Sequence, residues 1–349
     1  MTAGRPVRDL AFTDIYDALL LDMDGTLIHG RRPIEHAITA VAQARTAGLA
    51  IGFATNNASR TPQMVAEMLG GAGFDAHPEE VTNSPQVAMD LVKQRCSPGS
   101  RILVVGGAGI REEIERAGFE AVDTYGEGVA AVLQGFAPEV GWRDLAEAAY
   151  AVTGGAYWVA TNSDSTLPTE RGFAPGNGSL VAAVIHATGQ QPDVAGKPQP
   201  AMFRLAAERA GARRPLAVGD RLDTDIEGGN RAGIPTLHVL TGVSSWIEAL
   251  RAKPVQRPTF IRPDLSFLRG SGVEPVCEGN RVVFADVTAE LTEDGAVTAN
   301  QGADNWRTLQ ALLTLIASAH PEKEFTGEIR LPDQTIPALD GEDTGAAAR

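Results

Sequence analysis

Cysteine is nearly absent: the 349-residue chain has two, Cys96 and Cys277. Neither has a neighbour at the spacing of a zinc or redox pair, so a disulfide framework and a thiolate metal centre are both excluded as readings. Basic residues are also scarce, with 30 Lys and Arg against 44 Asp and Glu and a formal net charge of −14. Nucleic acids and anionic membranes are recognised by clustered Lys and Arg, so neither is an expected partner. No apolar run reaches the length of a membrane-spanning helix, and no apolar targeting segment follows the first residues. A cytoplasmic protein acting on a small molecule is the expectation.

Apolar residues make up 43% of the chain, enough for two or three domains with cores of their own. The stretch that organises it is Leu19-Leu20-Leu21-Asp22-Met23-Asp24-Gly25-Thr26. A continuous apolar run of this kind reads as a buried parallel strand. Ligand sites of open parallel sheets form outside the carboxyl ends of the strands, which places Asp22 and Asp24 at a crevice. Two carboxylates so close are either a strand-end turn or a seat for a divalent cation such as Mg²⁺.

The rest of the chain alternates strands and helices. Residues 33–47 predict a helix with Pro33 in its first turn, and 49–54 a second buried strand that runs into Thr55-Asn56-Asn57. A strand over 101–105 leads into Gly106-Gly107-Ala108-Gly109, either a dinucleotide loop or a tight strand-to-helix turn. Glu112 stands where G-x-G-x-x-G needs its third glycine, which favours the turn. Polar, turn-rich segments at 161–168 and 175–179 read as functional loops. Gly196-Lys197-Pro198 follows, then a strand over 215–218 ending in Gly219-Asp220, and then Asp225. Residues 253–263 hold three prolines and read as a linker. Strands over 281–290 and 295–299 and a helix over 304–319 come next, after an irregular lead-in expected at 1–14 and before an acidic, Gly/Ala-rich end expected to be disordered. The fold class expected is α/β: a doubly wound parallel-sheet core with an inserted α/β domain and a small α+β extension.

Four polar clusters thus fall at strand exits of one expected sheet, and together they suit phosphoryl transfer. Asp22 can attack phosphorus and carry an aspartyl-phosphate. Asp24 can protonate a leaving alkoxide and then take a proton from water. The Asp22 carboxylate, the Asp24 backbone carbonyl and the Asp220 carboxylate can hold Mg²⁺. Thr55 can donate to a phosphoryl oxygen, with Asn56 and Asn57 beside it as substrate-binding candidates, and Lys197 can neutralise the phosphate. Asp225 is placed to orient Lys197 or a metal-bound water. Each cluster alone has an ordinary reading as a turn, a cap or a loop lysine; the four in this order do not.

The DxDGT at 22–26, TNN at 55–57, GKP at 196–198 and GDRLDTDI at 219–226 resemble the haloacid dehalogenase superfamily of phosphatases. The likeness covers about residues 14–250. An insertion between the second and third motifs makes it similar to the type IIA subfamily, whose α/β cap is of the C2 kind. The resemblance implies a Rossmann-like core from 8–82 and 180–252, a cap over 83–179 and an extension over 260–340. It also implies Asp22 as nucleophile, Asp24 as acid and base, Lys197 as charge balancer, and Asp22, Asp24 and Asp220 around Mg²⁺. The extension resembles that of a mycobacterial glycerol-3-phosphate phosphatase branch, described as a truncated acetyltransferase-like fragment. Gln301-Gly302-Ala303 is at best a remnant of an acetyl-CoA loop, so acetyl transfer is not expected.

The implied function is Mg²⁺-dependent hydrolysis of a small phosphorylated metabolite, with glycerol 3-phosphate first. Phosphoglycolate, pyridoxal phosphate, a nucleotide or a sugar phosphate are alternatives, as is a binding or regulatory module acting through the extension. Asn162, Asp164 and Arg171 are candidate selectivity residues, and both cap and extension leave room for a homo-oligomer.

Overall fold

The computed structural model describes residues 11–331 except Glu170, Gly270, Ser271, Val273 and Gln301. The expectations for residues 1–10, for Gln301 and for the chain after 331 lie outside the described residues. Contacts divide the chain into two compact units, Met1–Ala50 with Arg213–Arg349, and Ile51–Ala212. Both are α/β with parallel sheets flanked by helices, the class expected.

In the first unit four parallel strands lie side by side in the order Phe260–Arg262, Thr236–Val239, Pro215–Gly219, Ala18–Leu21. Ala18–Leu21 is buried along its whole length, as a strand covered on both faces must be. Two sequence expectations fail here for local reasons. Pro33 does not open a helix: Arg32–Pro33 pairs with Ile28–His29 in a short ribbon, and the helix is Ala37–Thr46. Residues 253–263 are not a linker either, since Phe260–Arg262 between Pro258 and Pro263 is a fully buried strand of the sheet. The prolines bracket the strand without occupying its ladder positions. The lead-in is also less irregular than expected, with a helical turn at Phe12–Ile15.

Beyond this sheet the same unit carries a five-stranded sheet in the order Val276–Glu278, Arg281–Phe284, Val287–Leu291, Val297–Ala299, Ile329–Arg330. The single strand expected over 281–290 is two, folded at Ala285, which takes a left-handed φ of 54°. The helix Asn305–Ala319 shares one apolar core with these strands and with Ile226, Leu250 and Ile261. Its Gln310 closes the open edge of the sheet at Phe260–Arg262. Gln310 Oε1 accepts from the Ile261 N–H (3.1 Å) and from Arg262 Nη1 (2.9 Å), while its Nε2 donates to the Thr259 carbonyl (3.0 Å). The side-chain amide takes the place of a further strand. Arg262, wholly buried, stacks its guanidinium 3.9 Å from the centre of the Trp306 ring, and burial pushes its pKa down to about 9.

The second unit holds the strand Ala50–Thr55, paired in parallel with Val81–Asn83, and a five-stranded parallel sheet. The order of that sheet is Asp193–Val194, Tyr157–Ala160, Val129–Gln134, Arg101–Val105, Glu120–Val122. A separate hairpin, Thr166–Thr169 with Gly172–Pro175, presents Phe173, 73% exposed. The glycine-rich turn at 106–109 is a packing device. A Cβ on Gly109 would stand 2.9 Å from the backbone of Ala58 and Arg60, so the helix Ala108–Arg116 can lie against that segment only without one. No helix among the described residues is long and apolar enough to cross a membrane.

Two stability effects follow. Gln310→Leu strands the Ile261 N–H and the Thr259 carbonyl in a buried place, and should cost about 2–4 kcal/mol; urea unfolding should show a lower midpoint at unchanged slope. His238, wholly buried on Thr236–Val239, has its pKa pushed down to about 4 by burial. The unfolded chain then binds a proton that the folded one refuses, so stability is lost as pH falls from about 6.5 towards 4. His238→Gln should remove a part of that acid sensitivity on the order of 3 kcal/mol, read as the narrowing gap between variant and wild type in unfolding at pH 7 and pH 4.5.

Candidate active site

The first unit gathers carboxylates. Asp22 continues the strand Ala18–Leu21, its N–H donating to the Val218 carbonyl at 2.9 Å. The chain then folds back sharply, with the N–H groups of Leu27 and Ile28 both on the Met23 carbonyl (2.8 and 3.0 Å). Gly25 permits this: its φ is +88°, and a Cβ there would stand 2.5 Å from Asp220 Oδ2. The result is a buried Asp22, 9% exposed, with the Asp24 side chain exposed beyond it.

Asp220 follows the strand Pro215–Gly219 and is wholly buried. Its Oδ2 accepts the Val243 N–H at 2.7 Å, and its backbone carbonyl accepts the Ser244 N–H at 3.1 Å. The Thr26 hydroxyl lies 3.5 Å from Oδ1, and Thr241 Oγ1 donates to the Gly25 carbonyl at 2.6 Å. Gly242 is glycine of necessity, since its Cβ would sit 1.9 Å from Asp220 Oδ2. The chain next makes a π-helical turn, Leu222–Ile226, in which the Ile226 N–H reaches back five residues to Arg221. Such turns recur at functional sites because they re-aim one side chain. Here it is Asp225, 2% exposed, whose Oδ2 accepts the Arg221 N–H at 3.1 Å.

Asp22, Asp220 and Asp225 each offer a carboxylate oxygen within 4.8 Å of the other two. Buried carboxylates this close favour a bound positive charge, and an all-oxygen donor set suits a hard cation such as Mg²⁺. Asp225, read from sequence as an orienting residue, stands among the three. The Asp24 carboxylate stands outside them, which leaves Asp24 the backbone carbonyl foreseen for it. The loop Thr241–Ser245 was not foreseen. Its signal in the sequence is slight: a glycine, Gly242, three residues after the end of the buried strand Thr236–Val239.

The second unit holds the other polar set. Thr55 ends its strand, 4% exposed, and its Oγ1 accepts the Asn57 N–H at 3.1 Å, which leaves its own proton to donate. Lys197 is 2% exposed, and its Nζ donates to the Ala54 carbonyl at 3.0 Å. Asn56 ties the two together. Its Oδ1 accepts the Lys197 N–H at 2.8 Å, and its Nδ2 donates to the Lys197 carbonyl at 3.1 Å. The same Nδ2 lies 3.3 Å from Asp164, and Asn162 Nδ2 donates to the Asn56 carbonyl at 2.9 Å. Asn57 Oδ1 accepts from Ser59 N and Oγ at 2.9 and 2.7 Å. Asn56, Asn57, Asn162 and Asp164 therefore direct their side chains at the scaffold of this loop cluster. Arg171 is exposed at the tip of the 166–175 hairpin.

Comparison with known proteins agrees with this geometry. A model of haloacid dehalogenase-like hydrolases matches residues 19–120, and a HAD-hydrolase-like model matches 194–268. The D-glycerol 3-phosphate phosphatase of Mycobacterium tuberculosis is 49% identical over 253 residues, 72% of this chain and 71% of that protein. An acid sugar phosphatase of Staphylococcus aureus is 37% identical over 72% of this chain and 96% of its own length. A crystal structure of the Mycobacterium tuberculosis glycerol phosphate phosphatase with magnesium superposes with a TM-score of 0.84 at 40% identity, covering 94% of this chain and 98% of that one. With its Asp22 strand, its carboxylate trio and these relatives all in accord, the chain belongs to the haloacid dehalogenase-like hydrolase family.

Proposed function

We propose that this protein is a Mg²⁺-dependent phosphatase of a small phosphomonoester, with glycerol 3-phosphate as its preferred substrate. The observation that carries the reading is the buried trio of Asp22 and Asp220, at the ends of adjacent parallel strands, and Asp225 in the turn after Asp220. Asp22, Asp220 and the Asp24 carbonyl would hold Mg²⁺, with Asp225 beside them; the ion would offset the carboxylates' charge and polarise the phosphoryl group. The substrate preference rests on the 49% identity to the mycobacterial D-glycerol 3-phosphate phosphatase.

In the proposed reaction a carboxylate oxygen of Asp22 attacks phosphorus, and the bond to the substrate's ester oxygen breaks. Asp24, exposed and so able to exchange protons, protonates the departing alkoxide. It then takes a proton from the water that hydrolyses the aspartyl-phosphate, releasing inorganic phosphate and restoring Asp22. Thr55 donates its free proton to a phosphoryl oxygen, and the Lys197 ammonium neutralises the group. Asn56 and Asn57 serve that pair by fixing the backbone that carries it. Residues 83–179 act as a cap over a core from 8–82 and 180–252, with 260–340 as an extension, and the exposed Arg171–Phe173 tip contributes to selectivity. The enzyme works in the cytoplasm.

Phosphate release should be metal-dependent, abolished by EDTA and restored by Mg²⁺, and fastest with glycerol 3-phosphate among phosphoglycolate, pyridoxal phosphate, UMP and sugar phosphates. A different leader would remove the substrate and keep the chemistry. Asp22→Asn should fall below about one ten-thousandth of wild-type turnover, and normal turnover would remove the nucleophile. Asp24→Asn should lose about 10²–10⁴-fold with glycerol 3-phosphate. With p-nitrophenyl phosphate, whose leaving group departs without a proton, the initial burst of nitrophenol should survive while steady turnover falls.

A further inference from the structure

Asp220 is held by a loop, and the loop is held by something outside the catalytic motifs. Val243 and Ser244 supply the N–H groups that fix the Asp220 side chain and backbone (2.7 and 3.1 Å). Ser244 also turns its hydroxyl to the Leu222 N–H (3.1 Å), at the start of the π-helical turn that aims Asp225. Its carbonyl points the other way, into the sheet, where it meets His238 Nε2 at 3.0 Å. A carbonyl can only accept, so Nε2 carries the proton and the ring is the neutral Nε2–H tautomer.

We propose that His238 is a positioning residue for the metal carboxylates: its Nε2–H holds the Thr241–Ser245 loop against Asp220 and the start of the Asp225 turn. This rests on the reading that these carboxylates hold Mg²⁺.

His238 is suited to the task by where it stands. It is wholly buried, opposite Gly219 in the ladder between Thr236–Val239 and Pro215–Gly219, one residue before Asp220. Its other neighbour in the sheet is Ile261, whose N–H is held by Gln310 of the C-terminal helix. The ring therefore hangs from a strand fixed on both sides. A neutral imidazole adds no charge beside a cation site, whereas Lys or Arg at this depth would. The loop side of the contact is less firmly fixed, since Val243 is 58% exposed and Thr241, Gly242 and Ser244 are part-exposed. Without the Nε2–H the Ser244 carbonyl would have to find another donor, and the loop would shift to find it. Partners of metal ligands one layer out change metal affinity by about 10–100-fold when removed.

The test is direct Mg²⁺ binding to the intact, substrate-free protein, measured by titration calorimetry and by the rise in melting temperature with Mg²⁺. Wild-type binding is the control: no binding there would overturn the metal reading itself. His238→Met, which keeps bulk and loses the donor, should raise the Mg²⁺ dissociation constant at least tenfold. His238→Gln, which can return an N–H to the Ser244 carbonyl, should stay within about threefold of wild type. A purely structural histidine would instead lower stability in both variants and leave Mg²⁺ affinity of the folded fraction unchanged. That outcome would overturn the proposal, as would equal losses in Met and Gln. If His238→Met does not fold, Gly242→Ala presses a methyl group from the same loop onto the Asp220 carboxylate, and unchanged Mg²⁺ binding there would break the link between loop and Asp220.

Discussion

Three buried carboxylates that must stay close together govern the first unit. Bringing Asp22, Asp220 and Asp225 within 4.8 Å of one another in a desolvated place carries a penalty of several kcal/mol per ion before any cation arrives. The fold offsets part of this with neutral donors. Val243 N–H faces Asp220, Arg221 N–H faces Asp225, and the Thr26 hydroxyl lies near Asp220. Backbone N–H groups are fixed by the chain itself, so they hold a carboxylate in one orientation without adding a charge that would compete with Mg²⁺. The absent side chains at Gly25 and Gly242 follow from the same demand, because any Cβ there would occupy the space of the Asp220 carboxylate.

Holding those donors still is then the task of the surrounding sheet. The edge strand Phe260–Arg262 pairs with the strand of His238, and an open edge would leave that pairing free to fray. Gln310 fills the edge with an acceptor and a donor spaced like those of a strand. The helix that carries it shares its core with Ile226, the residue after Asp225. The extension is therefore continuous with the catalytic sheet in packing, and the mycobacterial structure matched over 94% of the chain spans it too.

What the sequence made legible was chemistry concentrated at strand ends. Apolar runs ending in Asp22, Thr55 and Asp220 report both a buried strand and what stands at its exit, and each of these strands is where the pattern put it. The misreadings share a cause. Local preference alone makes Pro33 a helix start and the prolines around 253–263 a linker, yet Arg32–Pro33 is set by pairing with Ile28–His29 and Phe260–Arg262 by its place in the sheet. Contacts between residues far apart in sequence override local signals of this strength. Asp225 was under-read because its direction depends on a π-helical turn, which leaves no mark in composition. His238 was missed because a histidine in an apolar strand looks like filler until the carbonyl it meets is known.

The two polar sets are built on opposite principles, and the difference bears on how each tolerates change. Asp220 and Asp225 of the first unit each take a backbone N–H, from Val243 and from Arg221, so a substitution in the loop Thr241–Ser245 reaches Asp220 directly and Asp225 through the Ser244 hydroxyl on Leu222. The second unit fixes its cation through one amide. Asn56 grips the Lys197 backbone at both N–H and carbonyl, and Lys197 Nζ returns to the carbonyl of Ala54, two residues before Asn56. That is a closed ring of three hydrogen bonds between two segments 141 residues apart in sequence. A lysine on four rotatable bonds is otherwise a poor instrument for aiming charge. Here the amide removes the freedom of the main chain and the carbonyl removes that of the side chain. An aspartate could not replace Asn56, since it lacks the donor for the Lys197 carbonyl.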